Sequence, residues 1–154
     1  MDMKTYAQRA ETLRPKLYRT ALCWLGDPCQ AVDVLDEAVY RGLCAAGKLR
    51  EPDYFDTWLT RILLNECHRE QARRGRLTPL EHAEELTAEQ FDSLPLKQAL
   101  SRLSEDLKNV IILRFFAGYT QAETADILKL PQGTVATRQQ RALRLLRLEL
   151  EVET

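Results

Sequence analysis

The sequence predicts an all-α protein: two small helical domains joined by a flexible acidic linker, with a helix-turn-helix in the C-terminal domain. Three observations carry that prediction. β-Branched residues are scattered and never alternate with polar ones over more than a few positions, so strand signals are nearly absent. Apolar residues instead recur at helical spacing in one block after another. Between two groups of such blocks lies a stretch, 77–96, that contains Pro79 and Pro95, lacks sustained periodicity and is strongly acidic. The 154 residues divide on this reading into 1–76, 77–96 and 97–154. A helical module of roughly 60 to 75 residues buries a modest core.

The first helix, 6–25, carries Leu13, Leu17, Ala21 and Trp24 on one side, and Gly26-Asp27-Pro28 closes it as a turn. In the second, 29–46, Ala31, Val34, Leu35, Ala38 and Val39 make the buried stripe, while Asp33, Asp36, Glu37 and Tyr40 share the other side. A loop over 47–53 holds Lys48 and Arg50, and Glu51-Pro52 marks the approach to the next helix. That third helix, 53–73, puts Phe55, Trp58, Leu59, Ile62 and Leu63 toward the core. Its other face repeats Thr57, Arg61, Asn65, Arg69 and Arg73 every four residues, a track suited to a nucleic-acid backbone or equally to a solvated surface. After the linker an apolar helix carries Val110, Ile112, Leu113 and Phe116.

The helix-turn-helix occupies 119–147. Ala122, Ala125, Ile127 and Leu128 form the first helix, Pro131 and Gly133 break it, and Val135 opens a second whose apolar positions continue through Ala142, Leu145 and Leu146. Ala125 and Gly133 supply the small residues that two crossing helices need where they touch. From Arg138 through Arg141, Arg144 and Arg147 the second helix gains four positive charges and no acid, with Thr134, Thr137, Gln139 and Gln140 beside them. Cations neutralise phosphates, and amide, hydroxyl and guanidinium groups read base edges, so this helix is suited to the major groove of DNA. An amphipathic hairpin with a solvated arginine face is the plainer alternative.

The net charge of −1 conceals a segregation. Between 61 and 76 five arginines stand against Glu66 and Glu70, whereas 77–96 holds Glu81, Glu84, Glu85, Glu89 and Asp92 with no arginine or lysine. Two basic segments around an acidic one suit two contacts on a polyanion. Residues 1–20 are interrupted by Lys4, Arg9, Glu11, Arg14 and Lys16, so no signal peptide is expected; no run reaches the roughly 18 apolar residues of a membrane span. A cytoplasmic protein is expected, with Cys23, Cys29, Cys44 and Cys67 reduced and read as small buried thiols. No cofactor, metal or catalytic residue is expected: there is no CxxC pair, no glycine-rich phosphate loop and no nucleophile with a base, and Cys67 beside His68 points elsewhere on a helix.

Three blocks in this order resemble the extracytoplasmic-function group of bacterial RNA polymerase sigma factors, within the sigma-70 family. LYRTALCWLGDPCQAVDVLDEAVYRGL (17–43) is similar to the group's core-binding segment, FDTWLTRILLNECHREQARRGR (55–76) to its promoter-melting segment, and LSRLSEDLKNVIILRFFAGYTQAETADILKLPQGTVATRQQRALRLL (100–146) to its C-terminal domain. The resemblance implies that Asp33, Asp36, Glu37 and Tyr40 dock on core RNA polymerase. It implies that Lys48, Arg50, Thr57, Arg61, Asn65, Arg69 and Arg73 meet the minus-ten region of promoter DNA, where a base is captured out of the stack. It also implies that Gln132, Thr134, Thr137, Arg138, Arg141 and Arg144 meet the minus-thirty-five element, Thr137 and Arg138 foremost in base readout and Arg144 and Arg147 on phosphate. A monomer that engages DNA only with polymerase follows from the resemblance, as does an anti-sigma factor, membrane-bound or soluble, as a further partner. The acidic linker either occupies a polymerase channel shaped for nucleic acid or serves as a solvated tether.

The chain departs from the group's pattern where glycine is common and Lys129 stands, where lysine is common and Ala136 stands, and where an apolar residue is common and Gln139 stands. Lys129 implies either a strained left-handed residue or a differently built turn. Gln139 implies either different sequence readout or a polar contact elsewhere. Glu66 and Glu70 dilute the arginine stripe. Two other functions are open to the residues. A stand-alone regulator would bind an operator as a dimer through Leu143, Leu146, Leu148 and Leu150, which equally well form the packing face and end of the last helix. A nuclease or hydrolase would use Glu81, Glu84 and Glu85, which lie in the least regular part of the chain.

Overall fold

Asp2 starts the first helix by accepting a hydrogen bond from the Thr5 N–H at 2.7 Å, which satisfies one of the unpaired amides of the first turn. The computed structural model describes residues 1–74 and 94–153. The chain divides into two compact units, Met1–His82 and Ala83–Thr154.

In the N-terminal unit, α1 (Met3–Leu25) begins a turn earlier than apolar spacing indicates because of the Asp2 cap. It ends at Gly26, whose left-handed backbone (φ 76°) lets its N–H reach the Leu22 carbonyl at 2.8 Å. Asp27 caps α2 (Pro28–Ala45), with Pro28 in the first turn where its missing N–H costs nothing. Two short 3₁₀ turns, Ala46–Lys48 and Pro52–Tyr54, carry the chain into α3 (Phe55–Arg74). Each helix packs on the other two. Leu17, Ala21, Ala31, Ala38, Phe55, Leu59, Leu63 and Cys67 are wholly removed from solvent between them. On α2, Gly42 leaves room for the Tyr6 side chain of α1: a Cβ there would strike the Tyr6 hydroxyl and approach Leu59 to 2.9 Å. That hydroxyl donates to the Val39 carbonyl at 2.6 Å, and burial pushes its pKa up to about 12.

The core side of α3 is wider than periodicity predicts. Trp58 and Ile62 are only half-buried, while Thr60, Leu64 and Glu66 join the buried set. Arg74, one of the arginines in the basic segment, donates to the Leu25 carbonyl at 3.1 Å and so closes the end of α1. Cys23 and Cys67 are buried, but Cys29 and Cys44 are exposed, which corrects the expectation of four buried thiols: both lie on the solvent side of α2. His68 sets its ring edge-on to Trp24 at 4.9 Å.

The C-terminal unit comprises α4 (Leu94–Arg102), α5 (Glu105–Ile111), α6 (Gln121–Leu128) and α7 (Gln132–Glu153). α4 begins inside the stretch read as linker; the rest of that stretch, with its acidic residues, lies outside the described residues. The apolar helix expected around Val110 to Phe116 is not uniform. α5 passes into a π turn, Ile112–Phe116, where the Ala117 N–H bonds back to the Ile112 carbonyl at 2.9 Å, and Gly118 (φ 80°) then reverses the chain. One buried cluster joins Ala99, Leu100, Leu107 and Ile111 to Ala142 and Leu146, and a second joins Val110, Ala125 and Val135.

α6 opens on a reciprocal cap: the Thr120 hydroxyl accepts from the Glu123 N–H at 3.1 Å and the Glu123 carboxylate accepts from the Thr120 N–H at 2.9 Å. It closes on Lys129, whose backbone is left-handed (φ 58°, ψ 47°). The strained conformation that glycine would relax is thus kept with a lysine. Gly133, expected at a helix contact, has open space where a Cβ would stand, and Ala125 alone of that pair is buried. α7 starts at Gln132, before Val135, because the Pro131 carbonyl already accepts from Thr134 and Val135 at 3.0 and 3.2 Å. No helix among the described residues is long and apolar enough to cross a membrane. Replacing Lys129→Gly should stabilise the C-terminal unit by about 1 kcal/mol, read as a higher urea midpoint with an unchanged slope.

Candidate nucleic-acid interface

The acidic face of α2 and the arginine stripe of α3 border one groove. Asp33, Glu37, Glu66, Arg69, Glu70 and Arg73 line it, enclosing about 390 Å³. Arg41 spans its edge: its Nε lies 3.0 Å from Glu37 and 3.1 Å from Glu66. Glu66 in turn accepts from Arg69 at 2.9 Å, and Glu70 holds Arg73 at 2.7 Å. The Arg73 hydrogen bond keeps the Glu70 carboxyl below its usual range and raises the Arg73 guanidinium, which stays charged. Glu66 is only 7% exposed, so the acid that dilutes the stripe is a buried countercharge shared by two arginines. Arg41 has no place in the sequence-based site; its spacing of four from Glu37 was the available signal.

The remaining predicted residues of this unit fall as follows. Asp36 is bridged to Arg14 at 2.9 Å, and Tyr40 is 61% exposed beside it on α2. Lys48, Arg50 and Asn65 are exposed and Arg61 is half-buried. The Thr57 hydroxyl donates to the Tyr54 carbonyl at 3.1 Å. Arg9 fixes the segment before α3, donating to the Pro52 carbonyl at 2.7 Å with its guanidinium 4.6 Å above the Phe55 ring.

In the second unit, α7 turns Val135, Ala142 and Leu146 inward. Gln132, Thr137, Gln140, Arg141 and Arg144 are exposed, and Thr134 and Arg138 are half-buried. Arg138 sits on the flank of the helix, its Nη1 3.9 Å from Asp106. Ser104, Asp106, Thr134, Thr137, Arg138 and Arg141 border a cleft of about 520 Å³. The Thr137 hydroxyl donates to the Gly133 carbonyl at 3.0 Å, which leaves its oxygen as an acceptor. The open question over Gln139 is answered by contacts inside the unit: its Oε1 accepts from Arg114 Nε at 2.9 Å and from Gln121 Nε2 at 3.4 Å. Among the described residues no group of three or more His, Cys, Asp or Glu side chains is placed to hold a metal.

Two family models match: sigma-70 region 2 over residues 10–77 and sigma-70 region 4 over residues 99–148. The chain is 29% identical to RNA polymerase sigma factor SigV of Bacillus subtilis over 141 residues, which cover 88% of this chain and 85% of SigV. It is 32% identical to the ECF RNA polymerase sigma-E factor of Escherichia coli over 126 residues, 69% of this chain and 66% of that protein. The chain belongs to the extracytoplasmic-function group of the sigma-70 family. As an RNA polymerase sigma factor it directs core polymerase to promoters, and the stand-alone operator-binding reading is not favoured. Leu146, one of the leucines considered for a dimer surface, is instead buried within its own unit. In fold it is similar to the sigma factor RpoE in complex with the anti-sigma factor NepR from Bartonella quintana, with a TM-score of 0.78 at 23% identity over 99% of this chain and all of that one. It is similar also to CnrH in complex with the cytosolic domain of CnrY, with a TM-score of 0.78 at 25% identity over 99% of this chain and 92% of that one.

The pairing of Glu66 with Arg69 predicts how this sigma factor responds to a charge change. Glu66→Gln should strengthen binding of the free protein to a single-stranded oligonucleotide at low salt. In a fluorescence-anisotropy titration, the slope of log K against log[salt] should steepen by about 0.7 for each arginine freed to contact phosphate.

Proposed function

We propose that the two units of this sigma factor divide promoter recognition, region 2 engaging polymerase and the minus-ten region and region 4 engaging the minus-thirty-five element. The observation that carries the proposal is the outward face of α7, where Thr137, Gln140, Arg141 and Arg144 stand exposed opposite the buried line of Val135, Ala142 and Leu146. Such a face offers a duplex only cations and hydrogen-bonding groups. Thr137 and Arg141 read base edges, Arg138 joins them from the flank after leaving Asp106, Gln132 and Thr134 contact the entry of the groove, and Arg144 and Arg147 hold phosphate.

On the first unit, Asp33, Asp36, Glu37 and Tyr40 form the polymerase-docking face of α2, an acidic surface with one exposed ring that fits a basic partner. Lys48 and Arg50 in the loop, with Thr57, Arg61, Asn65, Arg69 and Arg73 along α3, follow the minus-ten strand as it opens. Each contact is weak alone. Holding both on one polymerase raises the effective concentration of the second once the first has formed, so the free protein binds DNA poorly and acts as a monomer.

The protein carries out no catalysis of its own, needs no cofactor and works in the cytoplasm beside polymerase. An anti-sigma partner, soluble or membrane-anchored, is part of the proposal; the association of the similar protein CnrH with the cytosolic domain of CnrY supports it.

Run-off transcription with purified core polymerase tests the division. Asp33→Ala combined with Glu37→Ala should lower polymerase binding and transcription on every promoter alike. Arg141→Ala should lower transcription roughly tenfold or more on promoters that depend on the upstream element and leave the others near wild type. Equal loss across both promoter classes from Arg141→Ala would refute the assignment of α7.

A further inference from the structure

We infer that Gln140 is a specificity-determining residue that reads an adenine in the upstream promoter element, while the adjacent Gln139 serves as a positioning residue for α7. The inference rests on the promoter reading of α7 given above. Consecutive residues of an α-helix are turned about 100° apart, and burial separates these two glutamines: Gln139 is half-buried and Gln140 exposed.

Gln139 faces its own unit. It is half-buried, and its Oε1 is occupied by Arg114 and Gln121. Arg114 is itself fixed, because its Nη1 donates to the Tyr119 carbonyl at 2.7 Å. The shared oxygen therefore ties the π turn, the first turn of α6 and the middle of α7 together. An amide recognises adenine with both of its ends, accepting from the N6 amino group and donating to N7. With its oxygen engaged twice, Gln139 lacks the accepting half.

Gln140 has both halves to offer. It is exposed, three residues after Thr137 and four before Arg144, and side chains at those spacings share one helix face. The other exposed polar groups of that face differ in kind. Thr137 carries one hydroxyl, already donating to the Gly133 carbonyl, and Arg141 and Arg144 only donate, which suits guanine and phosphate. On this face Gln140 alone pairs a donor with an acceptor at the separation that the major-groove edge of adenine presents.

The test is run-off transcription by core polymerase with the full-length protein, over templates that carry each of the four base pairs at each position of the upstream element. Wild type should prefer adenine at one position. Gln140→Ala should erase that preference by roughly five- to a hundredfold and leave the other positions as they were. Gln140→Glu keeps an acceptor and loses the donor, so it should move the preference at the same position toward cytosine, whose N4 amino group donates. Gln139→Leu should lower transcription from all upstream-dependent templates in proportion and change no base preference. A Gln140→Ala profile parallel to wild type, a uniform loss on every template, or a changed base preference in Gln139→Leu would each overturn the assignment. Wild-type transcription that ignores the upstream element would overturn the promoter reading of α7 and this inference with it; dependence that survives Gln140→Ala unchanged overturns Gln140 alone.

Discussion

Burial of one line of side chains on α7 decides the direction of all the others. Val135 and Ala142 are completely covered and Leu146 is 6% exposed. Fully burying a side chain of the size of valine or leucine stabilises by roughly 1.5–3 kcal/mol, whereas an exposed ion pair contributes about 0–1 kcal/mol. The polar face therefore does not hold itself in place. It is presented because the apolar line beneath it has one good seat, between α4 and α5 at one end and against α6 at the other. The Gln139 oxygen refines that seat: Arg114 and Gln121 converge on it from two other elements, so slippage of α7 would leave part-buried donors unsatisfied.

The N-terminal unit is held by the same hierarchy with a different surface. Its core closes where Gly42 admits the Tyr6 ring between α1 and α2, a contact that no larger residue allows. Over that core, Glu37, Arg41, Glu66 and Arg69 form a continuous run of alternating charge from the acidic face of α2 to the arginine stripe of α3. Two of the stripe's three arginines are thereby engaged at home: Arg69 and Arg73 each face a glutamate three residues earlier. A stripe tempered in this way attracts a polyanion less than its arginines suggest.

Periodicity made the helices legible, and residue chemistry made several of their ends legible. The turn at Gly26-Asp27-Pro28, the inward line of α2 through Ala31, Val34, Leu35 and Ala38 and that of α7 through Val135, Ala142 and Leu146 follow from local rules, whereas Leu145, expected in the same line, is 39% exposed and Val39 is only half-buried. What escaped depends on neighbours that are distant in sequence. Glu66 reads as part of a polar face, yet it is buried and one of its two countercharges, Arg41, comes from another helix. Arg74 reads as one more cation, yet its partner is the Leu25 carbonyl, 49 residues away. Gly133 has the composition of a helix contact but no neighbour to touch. For Gln139 the sequence offered two fates without choosing, because the choice lies with the guanidinium of Arg114, whose aim depends on the winding of the chain before α6.

That winding carries the least obvious consequence. Within Ile112–Phe116 the backbone accommodates five residues in a wider coil than an α-helix provides, so the bearing of Arg114 is a matter of backbone phase and not of side-chain choice. Loss or gain of one amino acid in this stretch would swing the guanidinium by about 100° and leave the Gln139 oxygen with Gln121 as its donor. A single-codon change well upstream of α7 would then alter the seating of that helix while every one of its own residues stayed the same.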